Sequence, residues 1–228
     1  MSEQMTVYKT DRGDMKLSPA IVKRYLVSGN GKVSDQEVAM FIALCKYQNL
    51  NPFLREAYII KFGSQPATIV TGKEVFTKRA SQLKECAGWE AGVTVLRKNG
   101  ELERRTGTLV LDGETLVGGW CDVHRTDWKV PMKHEVSMKE FDKKQSSWKS
   151  MPATMIRKVA IVSALRDTFP SDFQGMYDSS EMPVESEKLD DNPVSVEYEE
   201  TIEETIDRTN TLSEEAFEEI DKEMQEVG

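Results

Sequence analysis

The chain has 228 residues, 39% hydrophobic and 30% charged, which allows one domain with an appendage or two small ones, and no apolar run approaches the roughly 20 residues a membrane-spanning helix needs. The formal net charge of −9 divides unevenly: residues 179–228 carry 18 Asp/Glu against Lys188, Arg208 and Lys222, whereas residues 1–178 carry 27 Lys/Arg against 21 Asp/Glu. A mildly basic body with a strongly acidic tail is the asymmetry of a polyanion-binding body joined to an interaction tail, or of an ordinary surface beside a solvated tail.

After a polar start, Ser18-Pro19 places an N-cap and a proline at the first helical position. The helix it predicts carries Ile21, Val22, Tyr25 and Leu26 and ends at Gly29. Ser34 with Glu37 three residues on is a capping box, and the helix behind it repeats Val38, Phe41, Ile42 and Cys45 on one face. Asn51-Pro52 breaks the chain, because the residue before proline is pushed out of the α region. The period then changes: residues 56–62 and 68–71 read as a β-hairpin through Gly63-Ser64-Gln65-Pro66. Gly72 turns the chain into a helix over 73–86, with Val75, Phe76, Ala80 and Leu83 inward. Residues 89–97, 102–111 and 115–124 read as strands turned at Asn99-Gly100 and Asp112-Gly113, dipeptides that supply the positive φ of type I′ turns. Residues 130–136 make a fourth. The expected fold class is α+β, a hairpin plus a small antiparallel meander packed with helices.

Pro152 opens a helix over 153–169 that Pro170 stops. At 100° per residue Met155, Ile156, Val159, Ala160, Ile161, Val162, Ala164 and Leu165 leave no continuous polar face, so the helix is expected to be buried. It nevertheless carries Arg157, Lys158 and Arg166. Either their stems snorkel or their heads pair with carboxylates, or buried scaffolding holds them at a groove for an outside anion. The second reading is preferred, because Asp167 is the only acid between Pro152 and Pro170. Lys158 and Arg166 lie about 80° apart and can share a face, whereas Arg157 and Arg166 lie on opposite sides. From Ser179 the composition turns to Glu, Asp, Ser and Pro without periodicity. The expected organisation is a body over 1–178, an acidic and largely disordered linker over 179–209, and a short amphipathic helix over 210–228. Thr211 and Glu214 open that helix, and Leu212, Ala216, Phe217, Ile220, Met224 and Val227 fall near one face. It is too short to stand alone, so it either frays or docks on a partner.

No catalytic pattern emerges. Gly72-Lys73 resembles the end of a phosphate loop, but Ala67 stands where a glycine is needed and Glu74 where Ser or Thr must follow. HExxH and GxSxG are missing, and Asp122, Asp127 and Glu135 match no metal-nuclease spacing. Cys45, Cys86 and Cys121 lie far apart without a CxxC pair, which argues against a disulfide framework or a zinc cluster. The first residues do not read as a signal peptide. The expectation is a cytoplasmic protein that is not an enzyme and takes no cofactor or metal.

Two segments carry a specific resemblance. One is Asn51-Pro52-Phe53-Leu54-Arg55-Glu56-Ala57-Tyr58, leading through the hairpin into Val70-Thr71-Gly72-Lys73. The other is Trp148-Lys149-Ser150-Met151-Pro152-Ala153-Thr154-Met155-Ile156-Arg157-Lys158-Val159-Ala160, continuing to Ala164-Leu165-Arg166, Phe169 and Gly175-Met176-Tyr177. In this order and separation the chain, from about Glu37 to Tyr177, resembles the phage single-strand annealing proteins of the RecT/Redβ (Bet) family. The resemblance implies an ATP-independent recombinase of phage homologous recombination, working in the cytoplasm of the bacterial host. Such a protein coats single-stranded DNA as a homo-oligomer, in rings or helical filaments, and pairs it with a complement through an annealed duplex intermediate. The family's C-terminal region recruits a phage exonuclease or the host single-strand-binding protein. Its buried helix with basic side chains corresponds to the Pro152 helix, so Arg157, Lys158 and Arg166 carry over as phosphate contacts; Ala153 and Thr154 stand where some relatives place basic residues.

Annealing requires a grip on backbones that leaves base edges unread, hence a row of cations rather than a recognition helix. Besides the helix trio, Arg55, Lys61, Lys73, Lys78 and Arg79 cluster around the hairpin and the helix it feeds. Lys73 adds its charge to the free N–H groups of a helix N-terminus, whereas Lys78 and Arg79 also fit a plain solvated face. Trp89, Trp120, Trp128 and Trp148 could stack bases, but tryptophans beside strands are usually core. The alternative function is a passive module that binds and protects single-stranded DNA without annealing it.

Overall fold

The computed structural model describes residues 5–182. The expected helix over 210–228 and nearly all of the expected linker lie outside the described residues.

A hairpin of β1 (Thr6–Thr10) and β2 (Gly13–Leu17) occupies what read as a polar start. Its Tyr8 is buried and donates its hydroxyl to the Leu50 carbonyl at 2.7 Å. Ser18 accepts from the Ile21 amide at 3.3 Å, and Pro19 opens α1 (Pro19–Tyr25). The chain then leaves the helix earlier than Gly29 and forms β3 (Val27–Ser28). In α2 (Asp35–Gln48) both halves of the Ser34/Glu37 capping box are made, and Val38, Phe41, Ile42 and Cys45 are all buried. Asn49 ends it in the left-handed region at φ 53°. After the break, the Asn51 side chain caps a short 3₁₀ turn over Pro52–Leu54. Next come β4 (Ala57–Ile60) and β5 (Thr68–Thr71), which pair antiparallel as expected. β3 pairs parallel with β4 through the α2 crossover, a connection no local signal announced.

Helix α3 (Lys73–Gln82) stops short of residue 86, because Leu83 turns extended and Cys86 already begins β6 (Cys86–Leu96). With β7 (Leu102–Thr106), β8 (Thr115–Arg125) and β9 (Met132–Ser137) it forms an antiparallel sheet in the order β7-β6-β8-β9. The strands therefore do not follow one another across the sheet as a sequential meander. β6 and β8 bury Ala91, Val93, Val95, Cys121 and Val123 and lie side by side, while the charged alternation of β7, Leu-Glu-Arg-Arg-Thr, suits an edge. Nor does β7 reach residue 111: Arg105 holds the Leu109 carbonyl and the Glu114 carboxylate, fixing residues 107–114 as an ordered loop.

Two short helices, α4 (Met138–Phe141) and α5 (Ser147–Ser150), lead into α6 (Pro152–Thr168). As the missing polar face predicts, every residue from Val159 to Leu165 is buried. α6 lies across the inner face of the large sheet, where Gly119 permits the approach: a Cβ there would sit 2.6 Å from the Ile156 carbonyl oxygen. On its other side α6 meets α3, beside a Phe76–Phe173 stack with ring centroids 5.3 Å apart.

Candidate nucleic-acid interface

α6 sorts its three cations by direction. Arg157 turns toward the sheet and donates from Nε to the Ala91 carbonyl at 3.2 Å. Lys158 and Arg166 share another face, and there both meet the segment that follows the helix. Lys158 Nζ lies 2.8 Å from Asp178 Oδ1, and Arg166 holds the Glu181 carboxylate with both terminal nitrogens at 2.8 and 2.5 Å. Burial pulls the Arg166 guanidinium down, but the Glu181 pair outweighs it and holds the group above its ordinary value. The guanidinium also stacks over Tyr177, 4.7 Å from the ring centroid.

The carboxylates are themselves anchored. Asp178, only 1% exposed, also accepts from the Ser180 amide and hydroxyl at 2.8 and 2.6 Å. Glu181 accepts from the Ser163 hydroxyl at 2.9 Å and the Asp178 amide at 3.0 Å. Half-buried Lys143 donates to the Ser179 carbonyl at 2.8 Å, and burial lowers its pKa. Among the described residues, then, Lys158 and Arg166 are paired, and the acids come from beyond Pro170. The sequence did hold a signal: Asp178-Ser179-Ser180-Glu181 has capping-box spacing, and Glu181 reaches back to the Asp178 amide as such a box requires. The change of composition at Ser179 masked it. The packed body runs on through Glu181, past the boundary expected after residue 178.

The second expected cluster is not a row of free cations. Lys61 is 8% exposed and pairs with Glu37 at 2.6 Å. That pair, with the Ser34 and Ala67 amides, drives the Glu37 carboxyl down to about 2. Lys78 bridges Asp11 and Glu56, which raise its pKa. Arg79 points into the body, where it clamps the Gln48 carbonyl at 2.6 Å, the Gln48 side-chain oxygen at 2.5 Å and the Asp172 carbonyl at 2.7 Å. Its pKa is lowered by burial. Lys73 stands at the start of α3, 3.6 Å from Glu74. Arg55 is exposed in the left-handed region at φ 55° and makes no ion pair among the described residues. Two tryptophans prove to be core: Trp148 is buried, and Trp120 lies under the Arg104 guanidinium, 4.1 Å from its ring centroid. Among the described residues no three His, Cys, Asp or Glu side chains meet as a metal site, and no helix is long and apolar enough to cross a membrane.

Fold and site define an α+β protein that carries cations on an enclosed helix laid across an antiparallel sheet. The model of the RecT family matches residues 12–195, a span that includes every element from β2 to α6, and the chain belongs to that family. It is also similar to a protein of Ureaplasma parvum serovar 3 named uncharacterized protein UU154, with 26% identity over 130 residues, 57% of this chain and 52% of that protein. The chain thus spans about half the length of this curated relative.

Proposed function

We propose that the chain is an ATP-independent single-strand annealing protein that coats single-stranded DNA as a homo-oligomer and pairs it with a complementary strand. The observation that carries this reading is the RecT-family match over residues 12–195. The geometry of α6 supports it. Lys158 and Arg166 offer a compact charge and a planar fork on one face, and a guanidinium that accepts a carboxylate in bidentate fashion accepts a phosphate in the same way. Such contacts grip the backbone and read no sequence. Arg55 and Lys73 are the further contacts; Lys61 and Arg79 hold the body together. The acidic tail is the docking peptide for a phage exonuclease or the host single-strand-binding protein in the bacterial cytoplasm.

Mixing two labelled complementary oligonucleotides tests the function. Duplex formation should speed up on adding the protein, equally with and without ATP; slowing would mark a passive protector, and stimulation by hydrolysable ATP would overturn the nucleotide independence. Arg166→Ala and Lys158→Ala should each lower the steepness of log affinity against log salt by roughly 0.7 for single-stranded DNA. Arg157→Ala should leave it unchanged. Unaltered slopes in the first two would move the groove to the Arg55–Lys73 side.

A further inference from the structure

The cations proposed to meet DNA phosphates are already occupied by anions of this chain. Residues 177–181 run along α6 as a strap, and four of its residues take a nitrogen donor from the body: the Thr71 amide holds the Tyr177 carbonyl at 2.8 Å, Lys158 holds Asp178, Lys143 holds the Ser179 carbonyl, and Arg166 holds Glu181. Two carboxylates and two carbonyls thus satisfy two amines, a guanidinium and a main-chain N–H, a donor set suited to a nucleic-acid backbone. At one point the docked strap is an imperfect partner. The Thr71 hydroxyl, in a residue with no exposed surface, has no hydrogen-bond partner among the described residues, although the neighbouring amide is bonded to the strap. A buried hydroxyl without a partner is a standing penalty on the docked arrangement.

We infer that the 177–181 strap is a built-in stand-in for the DNA backbone, which single-stranded DNA displaces so that phosphates replace Asp178 on Lys158 and Glu181 on Arg166. This rests on the assignment of Lys158 and Arg166 as phosphate contacts. Displacement makes DNA binding a competition: the strap keeps the half-buried cations paired while no DNA is bound, which spares the body an uncompensated charge, and it lowers apparent affinity by the free energy of its own docking. It also favours long polyanions, because a single phosphate cannot replace both carboxylates at once.

The test is Asp178→Asn with Glu181→Gln in the full chain, shape-conserving changes that remove the charges and leave one acceptor oxygen on each side chain. At low salt the double variant should bind a fluorescent oligothymidylate about tenfold more tightly than the unaltered protein, and the gap should narrow as salt rises. Asp112→Asn with Glu101→Gln, which removes the same net charge from exposed positions near the β7–β8 loop, should not change affinity. Equal or weaker binding by a folded Asp178/Glu181 double variant would overturn the inference, as would an equal gain in the control. Should the double variant fail to fold, amide hydrogen exchange on the unaltered protein decides. The Asp178 and Ser180 amides, both bonded within the strap, should lose protection when the protein is saturated with oligothymidylate; retained protection refutes displacement. Failure here is distinct from failure of the underlying assignment, because Arg166→Ala still flattens the salt dependence if Arg166 touches phosphate without evicting Glu181.

Discussion

Gly119→Ala is the sharpest probe of how α6 is held. The added Cβ would lie 2.6 Å from the Ile156 oxygen, 2.8 Å from its carbonyl carbon and 3.1 Å from the Arg157 nitrogen, whereas ordinary contact begins at 3.4 Å. All three atoms are backbone, so no side chain can rotate away. β8 is paired on both edges and α6 is enclosed, so neither element can retreat freely. Overpacking of this kind typically costs 1–3 kcal/mol, and contact with backbone on both sides places this one near about 3 kcal/mol. At roughly 2–4 °C per kcal/mol for a chain of this size, Tm should fall by about 6–12 °C. Far-UV circular dichroism melts of the full chain measure it, with Val117→Ala, partly exposed on the same strand, as a control that shifts Tm by no more than about 2 °C. Because the clash falls at Ile156 and Arg157, the displaced helix should also carry Lys158 out of position and weaken DNA binding well below Tm. A Gly119→Ala protein that melts within 2 °C of the original would refute this account of the helix–sheet contact.

Three further outcomes follow from the same geometry. Glu37 is held at about 2 in the folded body, below its free value of 4.5, so its ion pair stabilises fully above pH 4.5 and is lost as pH falls toward 2. Glu37→Gln should therefore be less stable than the original in urea at pH 7, with the difference shrinking by pH 2.5; an equal difference at both pH values contradicts the pair. Arg79→Ala should destabilise by about 2–3 kcal/mol through three orphaned acceptors, yet leave the salt dependence of DNA binding intact; a slope smaller by roughly 0.7 would instead make Arg79 a phosphate contact. Burial pushes the Cys45 and Cys121 thiols up to about 12, so a thiol reagent at pH 8 should modify half-buried Cys86 quickly and the other two only on unfolding; fast labelling of all three would show that the core opens readily.

Local chemistry explains what was legible in the sequence. The Ser34/Glu37 box, the Ser18 cap, the Asn51-Pro52 break and the all-round burial of α6 depend on residues within a turn or two of one another, and each appears as read. The order β7-β6-β8-β9 depends on which edge of β6 receives β8, a choice settled by burial across the whole sheet and not by the turn residues between strands. The hairpin of β1 and β2 was hidden because it buries few side chains, Tyr8 and Leu17 among them. Cations were easier to find than to assign. The acceptors of Arg79 lie 31 and 93 residues away in sequence, and nothing near Lys158 or Arg166 announces Asp178 or Glu181. Composition at Ser179 reported a change in polarity, while packing continued past it: Ser180 is buried.

The late segment also fastens the early half of the body. Gln48 reaches the Gln174 carbonyl, Arg79 the Asp172 carbonyl, and the Thr71 amide the Tyr177 carbonyl, closures of 126, 93 and 106 residues in sequence. On a ribosome these rungs come late: α2, α3 and β5 emerge long before their acceptors exist. The nascent body therefore waits with a guanidinium, a side-chain amide and a backbone N–H turned to water, and long-range closures of this kind make for slow final folding. Pulse proteolysis of stalled chains of increasing length reads the moment directly, and protection gained before residue 172 has emerged would contradict it. Translation thus assigns the chain a clock, and the ten residues after α6 strike it.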